Sequence, residues 1–211
     1  MSNYNIAFID DDQGVIDDFL VTAGNKSVDV QTFELSPDKE SLVDEIAKSN
    51  VDAIVIDFHL ADTRPNIKYD GAEVMNQLEE VTYNIPKFIF TAFSSAAEDK
   101  SNDINIVYEK EGDFGPFIDK VIKQIDKYKH RLEEYQEELM SLIEKSKTTK
   151  LNVEEEERAL ELDNIIEKSL NKRLSLPDSL KKPSTISTLD KLLSEAEQIV
   201  KELQNRNNAK S

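Results

Sequence analysis

Apolar residues follow two rhythms along this chain, and the rhythm changes near residue 116. Before that point, short apolar runs alternate with stretches where apolar residues recur every three or four positions. The runs fall at 4–9 (YNIAFI), 28–33, 53–56 (AIVI), 87–93 (KFIFTAF) and 104–108. Near-continuous apolar runs of this length read as strands buried on both faces. Between them, residues 14–23 place Val15, Ile16, Phe19 and Leu20 on one helical face. Ser36-Pro37 opens a second helix, with proline at the first helical position and Leu42, Val43, Ile46 and Ala47 inward. Gly71 leads into a third, carrying Ala72, Val74, Met75 and Leu78, and residues 94–102 form a weak fourth. Gly115-Pro116 starts a fifth. Five such alternations predict an α/β fold: a doubly wound, five-stranded parallel sheet with helices on both faces.

From residue 117 the pattern is helical throughout. Ile118, Val121, Ile125, Tyr128, Leu132, Tyr135, Leu139 and Leu142 step 3-4-3-4-3-4-3. That seven-residue repeat is a coiled-coil seam, and it overruns the length an α/β domain covers. Polar residues 145–152 interrupt it. A second helix over about 153–174 carries Ala159, Leu162, Ile166, Leu170 and Leu174, and Pro177 and Pro183 end it. Ser187, with Asp190 three residues on, reads as the cap of a third helix reaching about residue 205. The expected organisation is an α/β domain over 1–125 and a helical region over 117–211. Its helices, about 116–146, 153–174 and 187–205, would pack on each other or on a second chain as a homodimer.

Composition narrows the function. The 211 residues include no cysteine, which excludes disulfides, thiolate zinc sites and cysteine nucleophiles. No run approaches about 18 apolar residues, so no transmembrane helix is expected. The start has no basic segment before an apolar one, and a cytoplasmic protein is the plain expectation. The net charge is −17, with 24 acidic and 8 basic side chains in residues 1–115 and 19 and 18 thereafter. The first part would repel a phosphate backbone and the second offers no basic excess, so no nucleic acid is expected as partner. No Gly-rich phosphate loop, metal motif or nucleophile elbow follows residue 116.

The candidate chemistry lies at strand ends. The run 53–56 ends on Asp57, the first run ends on Asp10 and Asp11, the fourth reaches Thr91, and the fifth is followed by Lys110. In an open parallel sheet the carboxyl ends share one edge, where ligands bind. A carboxylate there costs solvation unless it is paired, metal-bound or used. Three of them repel, and a divalent cation resolves that repulsion. A hard, oxygen-ligated ion such as Mg2+ suits carboxylates, waters and a phosphoryl oxygen. A lysine binds another phosphoryl oxygen as a point charge, and a threonine hydroxyl can hydrogen-bond a third. The set suits a phosphoryl group held on a carboxylate. Without Asp57, Asp10 to Asp12 would read as a solvated turn; His130 reads as a surface residue outside the seam, and Glu154 to Glu157 as a solvated helix start.

Residues 1 to about 125 resemble the receiver domain of bacterial response regulators. The matching segments are FIDDD with Asp10 and Asp11, VIDFHL with Asp57, Asp70-Gly71, FTAF with Thr91 and Ala92, and YEK with Lys110. The resemblance implies that Asp57 accepts a phosphoryl group and that Asp10, Asp11 and Asp57 ligate Mg2+, joined by the backbone carbonyl of His59. Thr91 and Lys110 would bind phosphoryl oxygens, and phosphorylation would draw Thr91 inward. It further implies a phosphoprotein of a two-component system or phosphorelay, partnered by a sensor histidine kinase or phosphotransfer protein. Such a protein is no enzyme beyond Mg-dependent self-phosphorylation and autodephosphorylation. Three departures stand out. Glu111 follows the lysine where the family usually has proline. Val107 holds the usual aromatic position, with Tyr108 one place later. The loop between Asp57 and Gly71 is longer than usual. The helical region is expected to signal through protein partners or self-association, not through nucleic acid or membrane. The alternatives are a phosphate sink or relay carrier without output, and an unphosphorylated scaffold.

Overall fold

The computed structural model describes residues 4–82, 84–110 and 112–170. The chain divides into two compact units, one ending at Arg131 and the other beginning at Leu132. The first holds strands β1 (Tyr4–Ile9), β2 (Val28–Thr32), β3 (Ala53–Ile56), β4 (Lys87–Thr91) and β5 (Val107–Glu109). Helices α1 (Gln13–Asn25), α2 (Lys39–Lys48), α3 (Gly71–Val81) and α4 (Ser94–Lys100) alternate with them. The sheet order is β2-β1-β3-β4-β5 and every pairing is parallel. This is the doubly wound α/β fold expected from the alternation of patterns. The order reverses direction at β1, and β1 and β3 lie side by side in the centre.

Both faces of the sheet are covered, as the continuous apolar runs require. Strand alternation sends Ile54, Ile56 and Ile89 to one face, where they pack with Leu42, Ile46, Val74, Met75 and Leu78 of α2 and α3. It sends Phe8, Val55, Phe88 and Phe90 to the other, against Phe19 of α1 and Phe117, Ile118 and Val121 of α5 (Phe114–Thr148). Phe8 stacks on Phe19 at 3.9 Å and Phe90 on Phe117 at 4.0 Å between ring centroids. Each such side chain, fully buried, contributes about 1.5–3 kcal/mol.

Local polar contacts displace several element boundaries from the periodicity. Asp103 accepts a hydrogen bond from the Asn105 N–H, and residues Ile104–Ile106 form a 3-10 turn that leaves Ile104 exposed. Strand β5 therefore begins at Val107, not at residue 104. The Ser36 hydroxyl accepts from the Asp38 N–H, and α2 begins at Lys39, with Pro37 ahead of its N-cap instead of inside its first turn. Leu20, expected inward, is exposed, and Ala23 takes the buried position beside Phe19.

The second unit is a helical hairpin over its described residues. The later part of α5 and α6 (Val153–Leu170) bury Leu139, Ile143, Ala159, Leu162 and Ile166 against one another. The seam is thus used twice: Ile118, Val121 and Ile125 pack on the sheet, and Leu139 packs on α6. Ile143 is buried where Leu142 continues the strict repeat, and Tyr128 and Leu132 are half-buried. Arg158 closes the hairpin with a two-pronged contact to Glu138, 2.8 Å on each side. No helix among the described residues is long and apolar enough to cross a membrane. The third helix expected over 187–205, and the end of the second beyond residue 170, lie outside the described residues.

One close packing contact joins the fold to the sheet edge. At Gly71, the first residue of α3, an added Cβ would overlap the Asp57 carbonyl oxygen and lie 2.9 Å from its carbonyl carbon. Backbone cannot yield as a flexible side chain does, so Gly71→Ala is expected to destabilise the first unit by about 3 kcal/mol or more. Urea unfolding followed by circular dichroism measures this.

Candidate functional site

The carboxyl ends of β1, β3, β4 and β5 lie along one edge because all four strands run parallel. Two hydrogen bonds extend the ladder one residue beyond the strands: the Asp57 N–H donates to the Ile9 carbonyl at 2.8 Å, and the Lys110 N–H to the Thr91 carbonyl at 2.9 Å. Asp57 is thereby held beside Asp10, and Lys110 beside Thr91. Ligand atoms of Asp10, Asp11 and Asp57 all come within 4.8 Å of one another. The Lys110 ammonium reaches into this group, 2.8 Å from Asp10 Oδ2 and 3.0 Å from Asp57 Oδ1. Side-chain exposure is 1% at Asp10, 9% at Asp57 and 20% at Lys110, so the ions meet where water screens poorly.

The electrostatics follow from that burial. Desolvation pushes the Asp57 carboxyl above its ordinary range, with Asp10 adding to the rise and Lys110 opposing it. Desolvation alone would lower the Lys110 ammonium, but the charges of Asp57 and Asp10 outweigh it and hold it above the usual lysine value. Asp57 Oδ2 accepts from the His59 N–H at 3.2 Å. Asp57 Oδ1 is buried and has no hydrogen-bond partner; its 3.0 Å contact with Lys110 is ionic, without the angle of a hydrogen bond. A buried carboxylate oxygen in that condition has lone pairs left for a cation. Three acids spanning 4.8 Å are close to the width of about 4.2 Å across an octahedral Mg2+. The residues present therefore fit a hard divalent cation.

The other expected residues are placed as follows. Thr91 is fully buried at the end of β4, and its hydroxyl accepts from the Phe93 N–H at 3.2 Å. The His59 ring lies against Phe93 at 4.2 Å, with Nδ1 3.7 Å from Asp62. Asp12 is exposed at the start of α1. It caps α1, accepting from the Gly14 and Val15 N–H groups. Val107 and Tyr108, adjacent on β5, face opposite sides of the sheet. Val107 packs toward the α2–α3 side, and Tyr108 toward Phe88, Phe117 and the Lys120 ammonium on the α5 side.

Sequence reasoning missed Thr63. The long loop from Phe58 to Asp70 arches back to β1, where the Thr63 N–H donates to Asp11 Oδ2 at 2.5 Å and the Thr63 hydroxyl to the Asp11 carbonyl at 2.6 Å. The loop's extra length was a signal that something is added at the site mouth. Nothing in its polar sequence singled out residue 63.

No protein-family profile matches the chain, and no curated protein does. Solved structures do. A CheY-like response regulator receiver domain protein from Methanospirillum hungatei is 14% identical, covering 62% of this chain and 99% of its own at a TM-score of 0.48. The response regulator TrrA from Thermotoga maritima, in complex with Mg2+ and beryllium fluoride, is 16% identical, covering 59% and 99% at 0.43. NtrX from Brucella abortus, in complex with ADP, is 16% identical, covering 69% and 34% at 0.49. This chain is similar to these proteins in fold. Its class, a five-stranded doubly wound parallel sheet with an acidic cluster and a lysine at the carboxyl edge, rests on the topology and distances given above.

Two outcomes follow for the cation-free protein. Lys110→Met leaves buried carboxylates without their counter-charge and is expected to cost about 3 kcal/mol. Added Mg2+ should recover part of the loss in denaturant unfolding. Because the folded-state carboxyl of Asp57 is raised, its contribution is most favourable at low pH and is lost as pH rises through the raised value. Asp57→Asn should therefore be more stable than the wild type at neutral pH, with the gap closing on acidification. Thermal unfolding across pH reads it.

Proposed function

We propose that the first unit is a receiver module that accepts a phosphoryl group on Asp57. The observation that supports it best is the Lys110 ammonium lying 2.8 Å from Asp10 and 3.0 Å from Asp57 at the carboxyl edge, with Asp11 in the same cluster. In this reading an Asp57 oxygen attacks the phosphorus of an incoming donor. The bond from phosphorus to the donor's leaving atom breaks, an acyl phosphate forms, and the leaving group takes up a proton. Lys110 favours the ionised, nucleophilic form of Asp57 and then pairs with a phosphoryl oxygen. The Thr91 hydroxyl turns from the Phe93 N–H to donate to a second. Asp10, Asp11, Asp57 and the His59 carbonyl would hold Mg2+, which when bound would supply positive charge against the developing negative charge of the transfer. The donor is a sensor histidine kinase or a phosphotransfer protein, and the helical unit carries the signal by binding a protein partner or a second copy.

A second reading, a phosphate sink or relay carrier without an aromatic switch, is favoured by one feature. Tyr108 is packed on the α5 side, and Val107 occupies the opposite face.

Incubation with acetyl phosphate and Mg2+, read by intact mass, is expected to add one phosphoryl group to the wild type and none to Asp57→Asn. Chelation of the metal should abolish the gain. An unchanged wild-type mass would overturn phospho-acceptance and favour an unphosphorylated scaffold. Solution size with and without beryllofluoride then separates the readings: a change supports output through self-association, and a constant size with rapid phosphoryl loss supports the sink.

A further inference from the structure

The loop between β3 and α3 is fastened at both ends in the core. Leu60 is fully buried, Ile67 is 2% exposed, and the Tyr69 hydroxyl donates to the Ser36 carbonyl at 2.6 Å. Residues 61–66 between these anchors are exposed. Such an arch would ordinarily be free to move, since little apolar area holds it. Here its middle meets the end of β1 at two points on one residue. The Thr63 N–H donates to the Asp11 carboxylate at 2.5 Å, and the Thr63 hydroxyl to the Asp11 carbonyl at 2.6 Å. The two bonds grip both the side chain and the backbone of Asp11. A carboxylate on a single χ1 and χ2 swings readily, and a partly buried one beside two other acids is driven outward by repulsion. A fixed N–H on one oxygen opposes that swing and leaves the other oxygen to a cation.

We infer that Thr63 is a positioning residue for the cation site: the β3–α3 arch orients Asp11 toward the cation from outside the ligand set. The inference rests on the Mg2+ site of the proposed function. Outer partners of metal ligands set affinity because they determine where the ligand points before the ion arrives, and losing one weakens binding roughly 10-fold to 100-fold. The hydroxyl bond pins the arch, and the pinned arch presents the N–H.

The test compares the full-length wild type with Thr63→Val and Thr63→Ser. Valine keeps the shape at Cβ and removes the hydroxyl, and serine restores it. Because Thr63 is exposed, neither change should move the urea midpoint. Calorimetric titration with Mg2+ alone is expected to show binding at least about tenfold weaker in Thr63→Val and unchanged in Thr63→Ser. Hydrogen exchange without metal should quicken across residues 61–66 in Thr63→Val only. Equal Mg2+ affinity in wild type and Thr63→Val would overturn the inference, as would tighter binding, which would mean that the arch holds Asp11 away from the ion. A wild type that binds no Mg2+ would instead remove the metal site, and Thr63's role with it.

Discussion

A single ammonium group is set among buried carboxylates, and the sheet edge is organised by that fact. Asp10 and Asp57 are almost wholly removed from water, and their mutual repulsion is offset by Lys110 between them. Neither acid could be buried there alone, because an unpaired charge in a poorly solvated place costs several kcal/mol. The register supplies the pairing. Parallel β1 and β3 end level at Ile9 and Ile56, β4 and β5 run two residues further to Thr91 and Glu109, and hydrogen bonds from Asp57 to Ile9 and from Lys110 to Thr91 carry each ladder one residue on. Gly71 lets α3 approach the backbone of Asp57 closely enough to fix it. Fold and site are thus one arrangement seen from two sides.

Much of this was legible in the sequence because the signals were of the strongest kind. A run such as AIVI followed by aspartate has few readings other than a buried strand meeting an edge. Repeating that pattern at Asp10 and Lys110 ties the ends together through topology alone. The illegible parts depend on contacts that periodicity does not encode. The Asp103 side chain turned an apolar segment into a 3-10 turn and shortened β5. Of three consecutive aspartates it is Asp12 that caps α1, which their shared composition does not tell apart. Thr63 reaches Asp11 across 52 positions of sequence, and no local pattern marks such a pair.

The heptad seam shows a different limit. Its period was correct, but a period names a buried stripe without naming what covers it. Three of its residues meet the sheet, and three later ones, Tyr135, Leu139 and Leu142, join the apolar cluster of the hairpin with α6. A coiled coil between chains and a hairpin within one chain ask for the same spacing. Within this chain a short polar connection and a second amphipathic helix cover part of the seam, and Arg158 grips Glu138 across the hairpin.

Asp10 has a further relation. Its Oδ2 takes the Lys110 ammonium, and its Oδ1 accepts the N–H of Asp12 at 3.0 Å. Asp12 in turn receives the Gly14 N–H at 2.7 Å, closing the open end of α1. The tail of β5 and the first turn of α1 are therefore joined through one carboxylate. The opening turn of that helix thus leans, through Asp10, on the same lysine that balances the buried acids.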